Sequence, residues 1–136
     1  MSVNGASIGK GGFHHLAIRV FDFEKSLKFY IDGLGFKKHI SWGEGDERAI
    51  MLDTGNDNYL EIFAGGKEGE KPEGAIIHMA LRSENCDRDL EKAVSAGAVV
   101  TTPPTDVEIP SQPPKKVRIA FCKGPYGEII EFFQER

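Results

Sequence analysis

The sequence predicts an α+β fold made of two βαβββ modules in a pseudo-twofold repeat, whose strands form a curled, trough-like mixed sheet. Three observations support this prediction. Residues 13–19 (FHHLAIR) and 76–82 (IIHMALR) are near copies, 63 positions apart. In both, the third residue is His, the fifth is Ala and the seventh is Arg, and the first is apolar; the second is His in one copy and Ile in the other. Each copy is followed by a capping residue and a helical stripe of apolar side chains. Short strand-like runs separated by turn residues complete each unit.

The first strand of each module is predicted to have one polar and one largely apolar face, because side chains alternate along a strand. The residues of the two polar faces are His15, Ala17 and Arg19 in the first module and His78, Ala80 and Arg82 in the second. His14 falls on the opposite face from His15. We therefore expect His14 to have a packing or surface role.

A helix is predicted after each of these strands. Asp22 and Asn85 are good N-caps, because their side-chain oxygens can accept hydrogen bonds from amides of the first helical turn. Apolar residues then recur at helical spacing: Phe23, Leu27, Tyr30, Ile31 and Leu34 in the first module, and Cys86, Leu90, Ala93 and Val94 in the second. Glycines are expected to end both helices, Gly33 and Gly35 in the first and Gly97 in the second.

Three strands are predicted after the first helix, at about residues 36–42, 48–53 and 59–63. In the second module a strand near residues 99–101 leads into a proline-rich stretch, 103–114. Proline cannot donate a ladder hydrogen bond, so we expect this stretch to be a long loop outside the sheet interior. The last two strands are expected at about residues 117–122 and 128–133.

These elements divide the chain into four parts. They are a flexible N-terminal tail (1–12), a first module (13–64), a glycine-rich charged linker (65–74) and a second module (75–136). The two modules together form one domain, residues 13–134. Gly and charged residues dominate the linker, which is typical of a solvated connection.

The composition argues against several classes of protein. With 40% hydrophobic and 28% charged residues, a chain of 136 residues is typical of a single globular domain. Its net charge of −4, without a basic stripe, argues against a nucleic-acid partner. No apolar run approaches the roughly 20 residues of a membrane helix, and no signal peptide is evident. Cys86 and Cys122 form neither a disulfide framework nor a CxxC motif, so we expect a cytoplasmic protein.

Four residues occupy related positions in the two modules: His15 and His78 in the first strands, Glu61 and Glu131 in the last. Each glutamate lies within a short apolar strand, where a carboxylate needs a cation, a partner or a raised pKa. Two imidazoles and two carboxylates suit Ni²⁺, Zn²⁺, Co²⁺, Mn²⁺ or Fe²⁺.

Each of these residues also has a simpler interpretation. The histidines could be hydrogen-bonded core residues, and Glu61 could be a carboxylate on an edge strand that faces water. Arg19 and Arg82 could bind substrate or act only as counter-charges to the glutamates.

These residues, their spacing and the repeat resemble the vicinal oxygen chelate superfamily. That superfamily includes glyoxalase I, methylmalonyl-CoA epimerase, extradiol dioxygenases and the fosfomycin and bleomycin resistance proteins. The resemblance covers about residues 13–134. Residues 29–36 (FYIDGLGF) look like the helix end of the family, and residues 124–131 (GPYGEIIE) look like its last hairpin.

The resemblance implies that His15, Glu61, His78 and Glu131 are the metal ligands, a set most similar to that of bacterial glyoxalase I (lactoylglutathione lyase). Epimerases usually have Gln at the position of Glu61. Arg19 matches the glyoxalase arginine that holds the carboxylate of glutathione. One position departs from the glyoxalase pattern: the Asn four residues after the first glutamate is replaced here by Gly65.

The resemblance therefore implies a metal-dependent lyase or isomerase. In such enzymes the divalent ion binds the vicinal oxygens of a hemithioacetal and stabilises the enediolate formed when a glutamate removes the carbon-bound proton. Glu131 is the expected base, with Glu61 as its counterpart. Arg19 and Arg82 are the expected substrate-binding residues, and the expected partners are a small-molecule substrate and a second copy of the chain. The site could form within one chain or across two.

Two alternatives to glyoxalase chemistry remain open. Because Gly65 stands where glyoxalases have Asn, the sequence is also compatible with an epimerase or another proton-transfer enzyme that acts on a different chelating substrate. A non-catalytic drug-binding protein, similar to the bleomycin resistance proteins, is the alternative from another class. Those proteins typically lack the four ligands, which are all present here.

Overall fold

The computed structural model describes residues 13–70, 74, 76–111 and 113–136. The predicted tail (1–12) lies outside the described residues, as do residues 71–73 of the predicted linker and residue 75 of the second module. Residue 112 of the predicted proline-rich loop also lies outside them.

The first module forms a four-stranded mixed sheet. Its elements are β1 (His15–Arg19), α1 (Phe23–Leu27) continued by a π-helical segment (Lys28–Gly33), β2 (Lys37–Trp42), a 3₁₀ turn (Gly45–Glu47), β3 (Ala49–Gly55) and β4 (Asn58–Phe63). The strand order is β1-β4-β3-β2, in which β1 runs parallel to β4 and the other pairs are antiparallel.

The second module repeats this topology. Its elements are β5 (Met79–Arg82), α2 (Cys86–Ser95), β6 (Val99–Ile109), β7 (Lys115–Lys123) and β8 (Ile129–Glu135). The strand order is β5-β8-β7-β6, and β5 again runs parallel to the last strand. The predicted α+β fold with two βαβββ modules is confirmed.

Both helices begin at the predicted caps. The Asp22 side chain accepts a hydrogen bond from the Lys25 amide, and the Asn85 side chain accepts one from the Arg88 amide, both at 3.0 Å. The first helix departs from the predicted stripe because it changes to π geometry, in which the Leu34 amide donates to the Phe29 carbonyl five residues earlier. Phe29 and Tyr30 are consequently both buried, although a regular α-helical stripe includes only Tyr30.

Two sequence predictions for the second module are wrong in detail. Val94 is exposed rather than part of the buried stripe of α2. The proline-rich stretch is mostly strand: β6 continues to Ile109 and pairs with β7 along its length. The prolines are tolerated because β6 is an edge strand, and its register shifts between Thr102 and Thr105, where Pro103 and Pro104 lie.

One hydrophobic core joins the two modules, with buried residues from both sheets and both helices. A hydrogen-bond network crosses the boundary between the modules. The Tyr30 hydroxyl donates to the Glu128 carboxylate (2.6 Å), which also accepts from the Tyr126 amide (2.7 Å). The Tyr126 hydroxyl in turn accepts from the Asp22 amide (2.6 Å). In the described part of the chain, no helix is long and apolar enough to cross a membrane.

Candidate functional site

Each module brings its predicted histidine and glutamate together on the sheet face that points away from the helices. The parallel pairing places Ala17 opposite Glu61 in the first module and Ala80 opposite Glu131 in the second. A histidine two residues before each alanine therefore projects from the same face as the glutamate. His15 Nε2 lies 3.4 Å from Glu61 Oε1, and His78 Nε2 lies 3.1 Å from Glu131 Oε1.

The two histidine–glutamate pairs share the same exposure pattern. The carboxylate side chains of Glu61 and Glu131 are 11% and 10% exposed, whereas the imidazoles of His15 and His78 are 39% and 36% exposed. Each pair is thus a nearly buried carboxylate beneath a histidine that solvent or a ligand can reach. Burial raises the pKa of Glu131, and the nearby His78 partly opposes that rise.

The two pairs remain separate from each other within the chain. Among the described residues, no three His, Cys, Asp or Glu side chains are close enough together to hold a metal ion. The pairs belong to two different sheets. Each pair therefore offers one imidazole and one carboxylate, which is half of the predicted ligand set.

An arginine and two aromatic side chains form a cluster further along the strands of the first module. The Arg19 guanidinium lies 5.2 Å from the centre of the Phe63 ring and donates to the Ala64 carbonyl oxygen at 2.8 Å. Trp42 also packs on this cluster, edge-on to Phe63 with ring centres 6.4 Å apart. Within the described residues, neither Arg19 nor Arg82 forms an ion pair with Glu61 or Glu131, so the counter-charge interpretation has no contact to support it.

The second pair has a different setting. The His78 ring meets Phe121 edge-on, with ring centres 5.3 Å apart. Phe121 lies directly opposite Glu131 in the pairing of β7 with β8, so the two side chains are on the same face of the sheet. The two pairs therefore share their geometry but present different surroundings to a ligand.

A cavity of about 930 Å³ is lined by residues of both modules, including the N-terminal part of β1 and the whole of β5. Both His15 and His78 line it, and so does Arg82. Its lining is partly apolar, as at Leu16 and Met79, and partly polar or charged, as at Asn56 and Lys92. The sequence repeat does not predict this cavity, because it depends on how far apart the two modules lie.

Gly65 occupies a position that a side chain cannot enter without strain. Its φ is +79°, and a Cβ built on it would lie 2.8 Å from the carbonyl oxygen of Asp46. The local backbone therefore accepts glycine at this position without strain but does not accept the Asn of glyoxalases. No amide can extend from this position unless the Asp46 peptide moves.

The predicted orientation of the His14 side chain is wrong. Strand alternation predicts that His14 points away from His15, but the two imidazoles are within hydrogen-bond distance, with 2.9 Å between their Nδ1 atoms. His14 precedes β1 and is not held to the strict alternation of the strand. Its ring also lies 5.0 Å from that of Tyr59. The only sequence signal for this contact is the doubled histidine itself.

The sequence profile of the Glyoxalase/Bleomycin resistance protein/Dioxygenase superfamily matches residues 12–132. The chain belongs to this superfamily. Among curated proteins, it is similar to YwbC of Bacillus subtilis (strain 168), an uncharacterized protein. The two are 31% identical over 124 residues, which cover 88% of this chain and 94% of YwbC.

Solved structures of other proteins have the same fold. A member of the superfamily from Sphaerobacter thermophilus DSM 20745 superposes with a TM-score of 0.69 at 22% identity, over 92% of this chain and 98% of that one. TnmS3, an antibiotic binding protein from Streptomyces sp. CB03234, superposes with a TM-score of 0.68 at 19% identity, over 93% and 97%. At these identities the similarity shows the fold and does not show the activity.

We predict that Gly65→Asn destabilises the protein by about 1–3 kcal/mol more than Gly45→Asn does, the usual cost of a backbone shift forced by overpacking. The reason is the contact between the new Cβ and the Asp46 carbonyl oxygen. Urea unfolding measures the effect. Gly45→Asn is the matched control, because Gly45 has a similar φ of +57° and a Cβ added there would have nothing within 4 Å. Equal stabilities of the two variants would contradict the steric account.

Proposed function

We propose that this protein is a metal-dependent lyase or isomerase of the glyoxalase I type, which transfers a proton on a small substrate with two vicinal oxygens. The observation that carries the proposal is the repeated pair of a nearly buried glutamate and an accessible histidine, in the same register in both modules. A structural role alone does not explain why both modules keep a carboxylate within an otherwise apolar strand.

The donor atoms fit a divalent metal. Two imidazole nitrogens and two carboxylates suit Ni²⁺, Zn²⁺, Co²⁺, Mn²⁺ or Fe²⁺, and His15, Glu61, His78 and Glu131 would hold the ion. When bound, such an ion supplies Lewis-acid stabilisation of negative charge on a substrate oxygen. The charge balance also fits, because a cation compensates two carboxylates that are about 90% removed from water.

A complete ligand set requires the two pairs to meet. They lie on separate sheets, and each pair provides only two of the four ligands. We propose that the first-module face of one chain meets the second-module face of another chain in a homodimer. Each dimer would then contain two equivalent sites, as expected for an isologous pair.

Glu131 is our choice for the base that moves the proton. In the metal-free protein burial raises the pKa of Glu131, because it disfavours the charged form, and this favours proton uptake by the carboxylate when it is detached from the ion. Glu61 is its counterpart on the opposite face of the substrate. Arg19 and Arg82 flank the two pairs in register with Phe63 and Phe133, and we assign them to substrate binding.

The substrate is the part of the glyoxalase assignment that the geometry supports least. Gly65 cannot supply the amide that glyoxalases use for glutathione without moving the Asp46 peptide. We therefore expect the methylglyoxal–glutathione adduct to saturate the enzyme weakly or not at all. A different thiol adduct would present the same pair of oxygens, and an acyl-CoA epimerisation substrate would present a different chelating pair, in neither case requiring that amide.

Ligand binding without chemistry is the second candidate function. The cavity of about 930 Å³ is large enough for a drug-sized molecule, and the similar fold of TnmS3 belongs to an antibiotic binding protein. Metal analysis separates the two functions, since only the enzyme needs an ion held by the four ligands.

We predict that the purified protein takes up about one divalent ion per site and loses it in His78→Ala. Removing one ligand leaves an open site and two carboxylates without full compensation. Plasma emission spectroscopy after dialysis measures the bound metal. Glu108→Ala is the control, because Glu108 is an exposed residue of the edge strand β6 and belongs to neither pair. Tight metal binding by His78→Ala would show that the ligand assignment is wrong.

Glutamine substitutions should separate the two carboxylates. Glu131→Gln keeps the shape and one donor oxygen but loses basicity, so proton transfer should fall by about 10²–10⁴-fold. Glu61→Gln should lose less, because related epimerases function with Gln at that position. The measurement is exchange of the carbon-bound proton with solvent deuterium at matched metal occupancy, in the methylglyoxal–glutathione adduct and in methylmalonyl-CoA. A larger loss in Glu61→Gln would reverse the assignment.

A further inference from the structure

His15 is held from both sides of its ring. Its Nε2 faces Glu61 at 3.4 Å, and its Nδ1 lies 2.9 Å from the Nδ1 of His14. The two histidine rings are nearly perpendicular, at 85°. A carboxylate can only accept, so Nε2 of His15 carries the proton towards Glu61 in the metal-free protein, and Nδ1 of His15 accepts from Nδ1–H of His14.

His14 is itself fixed in place. Its carbonyl oxygen accepts a hydrogen bond from the Tyr59 amide at 3.0 Å, and its ring lies 5.0 Å from the Tyr59 ring. His39 stacks on the same tyrosine, with ring centres 4.7 Å apart. His14 is thus supported by Tyr59 of the adjacent strand β4, on which His39 of β2 also stacks.

The second module lacks this arrangement. The repeat places Ile77 at the position equivalent to His14, and its side chain is 66% exposed. His78 meets the Phe121 ring instead. Because the two modules share their strand register, the fold does not require a histidine at this position. The contact between His14 and His15 is a specific feature of the first pair.

A neutral imidazole has one N–H donor and one lone-pair acceptor, so a hydrogen bond at one nitrogen selects the role of the other. Histidines that bind metals commonly use the second ring nitrogen in such a bond, which sets the ring orientation. We propose that His14 is a positioning residue that fixes the ring orientation of His15, with Nε2 directed at Glu61. In the metal-free protein His14 donates to Nδ1 of His15, and when Nε2 binds an ion the same contact would run from Nδ1–H of His15 to His14. The importance of His14 for metal binding rests on the function proposed above.

Three substitutions isolate the hydrogen bond. His14→Phe keeps an aromatic ring beside Tyr59 but removes the nitrogen. His14→Asn loses the ring but keeps an amide nitrogen or oxygen near the position of Nδ1. Ile77→Phe introduces a phenylalanine at the equivalent position of the second module, where the parent side chain makes no hydrogen bond.

The first readout needs no metal. Nitrogen-15 NMR of the imidazoles in the metal-free protein reports the tautomer of His15. We expect the Nε2–H tautomer to dominate in the parent, Ile77→Phe and His14→Asn, and the Nδ1–H tautomer to be more populated in His14→Phe than in the parent. The same populations in His14→Phe as in the parent would overturn the proposal.

The second readout is Zn²⁺ affinity by calorimetry. His14→Phe should bind Zn²⁺ about 10–100-fold more weakly than the parent, the usual effect of losing a hydrogen-bond partner of a metal ligand. His14→Asn should recover most of this loss, and Ile77→Phe should match the parent. Unchanged affinity in His14→Phe, in a parent that binds Zn²⁺, would overturn the proposal alone. A parent that binds no Zn²⁺ would instead overturn the proposed function, and the NMR comparison would still decide the role of His14.

Discussion

The parallel pairing of the first and last strands in each module is the constraint on which the site depends. It places an alanine of the first strand directly opposite the glutamate of the last strand, at Glu61 and at Glu131. The histidine two residues earlier then projects from the same face as the carboxylate. Since the opposite sheet face is buried against the helices, this register cannot slip by one residue without exposing the core. The core therefore fixes the position of the polar pairs.

The shared core also fixes how the two modules lie relative to each other. Burial and the nearby Glu128 raise the pKa of Tyr30 well above its ordinary value, so its hydroxyl stays protonated and donates to Glu128 across the module boundary. The helices approach closely, because a Cβ at Gly33 would overlap the Cβ of Ala96. The modules are thus packed together through their helices, and the two outward faces are left for other contacts. This packing supports a site completed by a second chain.

Much of the fold and of the site could be predicted because both depend on short-range patterns. The repeat around His15 and His78 identified the modules, and Asp22 and Asn85 identified the helix starts from local hydrogen-bonding chemistry. The membership of the superfamily is confirmed. The roles of His15, Glu61, His78 and Glu131 remain a proposal, although their pairing within each module is observed.

The missed features depend on tertiary context that no local pattern encodes. The π-helical segment that buries Phe29 changes the periodicity on which helix prediction relies. The extension of β6 past Pro103 depends on its position at a sheet edge, where a missing amide is tolerated. The contact between His14 and His15 forms just before β1, where strand alternation does not yet apply. The requirement for glycine at position 65 arises from the distant Asp46 peptide.

The most direct test of a metal site shared between two chains is to combine two full-length variants that each lack one ligand. His15→Ala lacks a ligand in the first pair and His78→Ala lacks one in the second, so neither variant alone should hold the ion tightly. Refolded together, they should form mixed dimers in which one site has all four ligands, and about one quarter of the parental metal capacity should return. Metal binding by the mixture that does not exceed the sum of the two variants alone would contradict a site shared between chains.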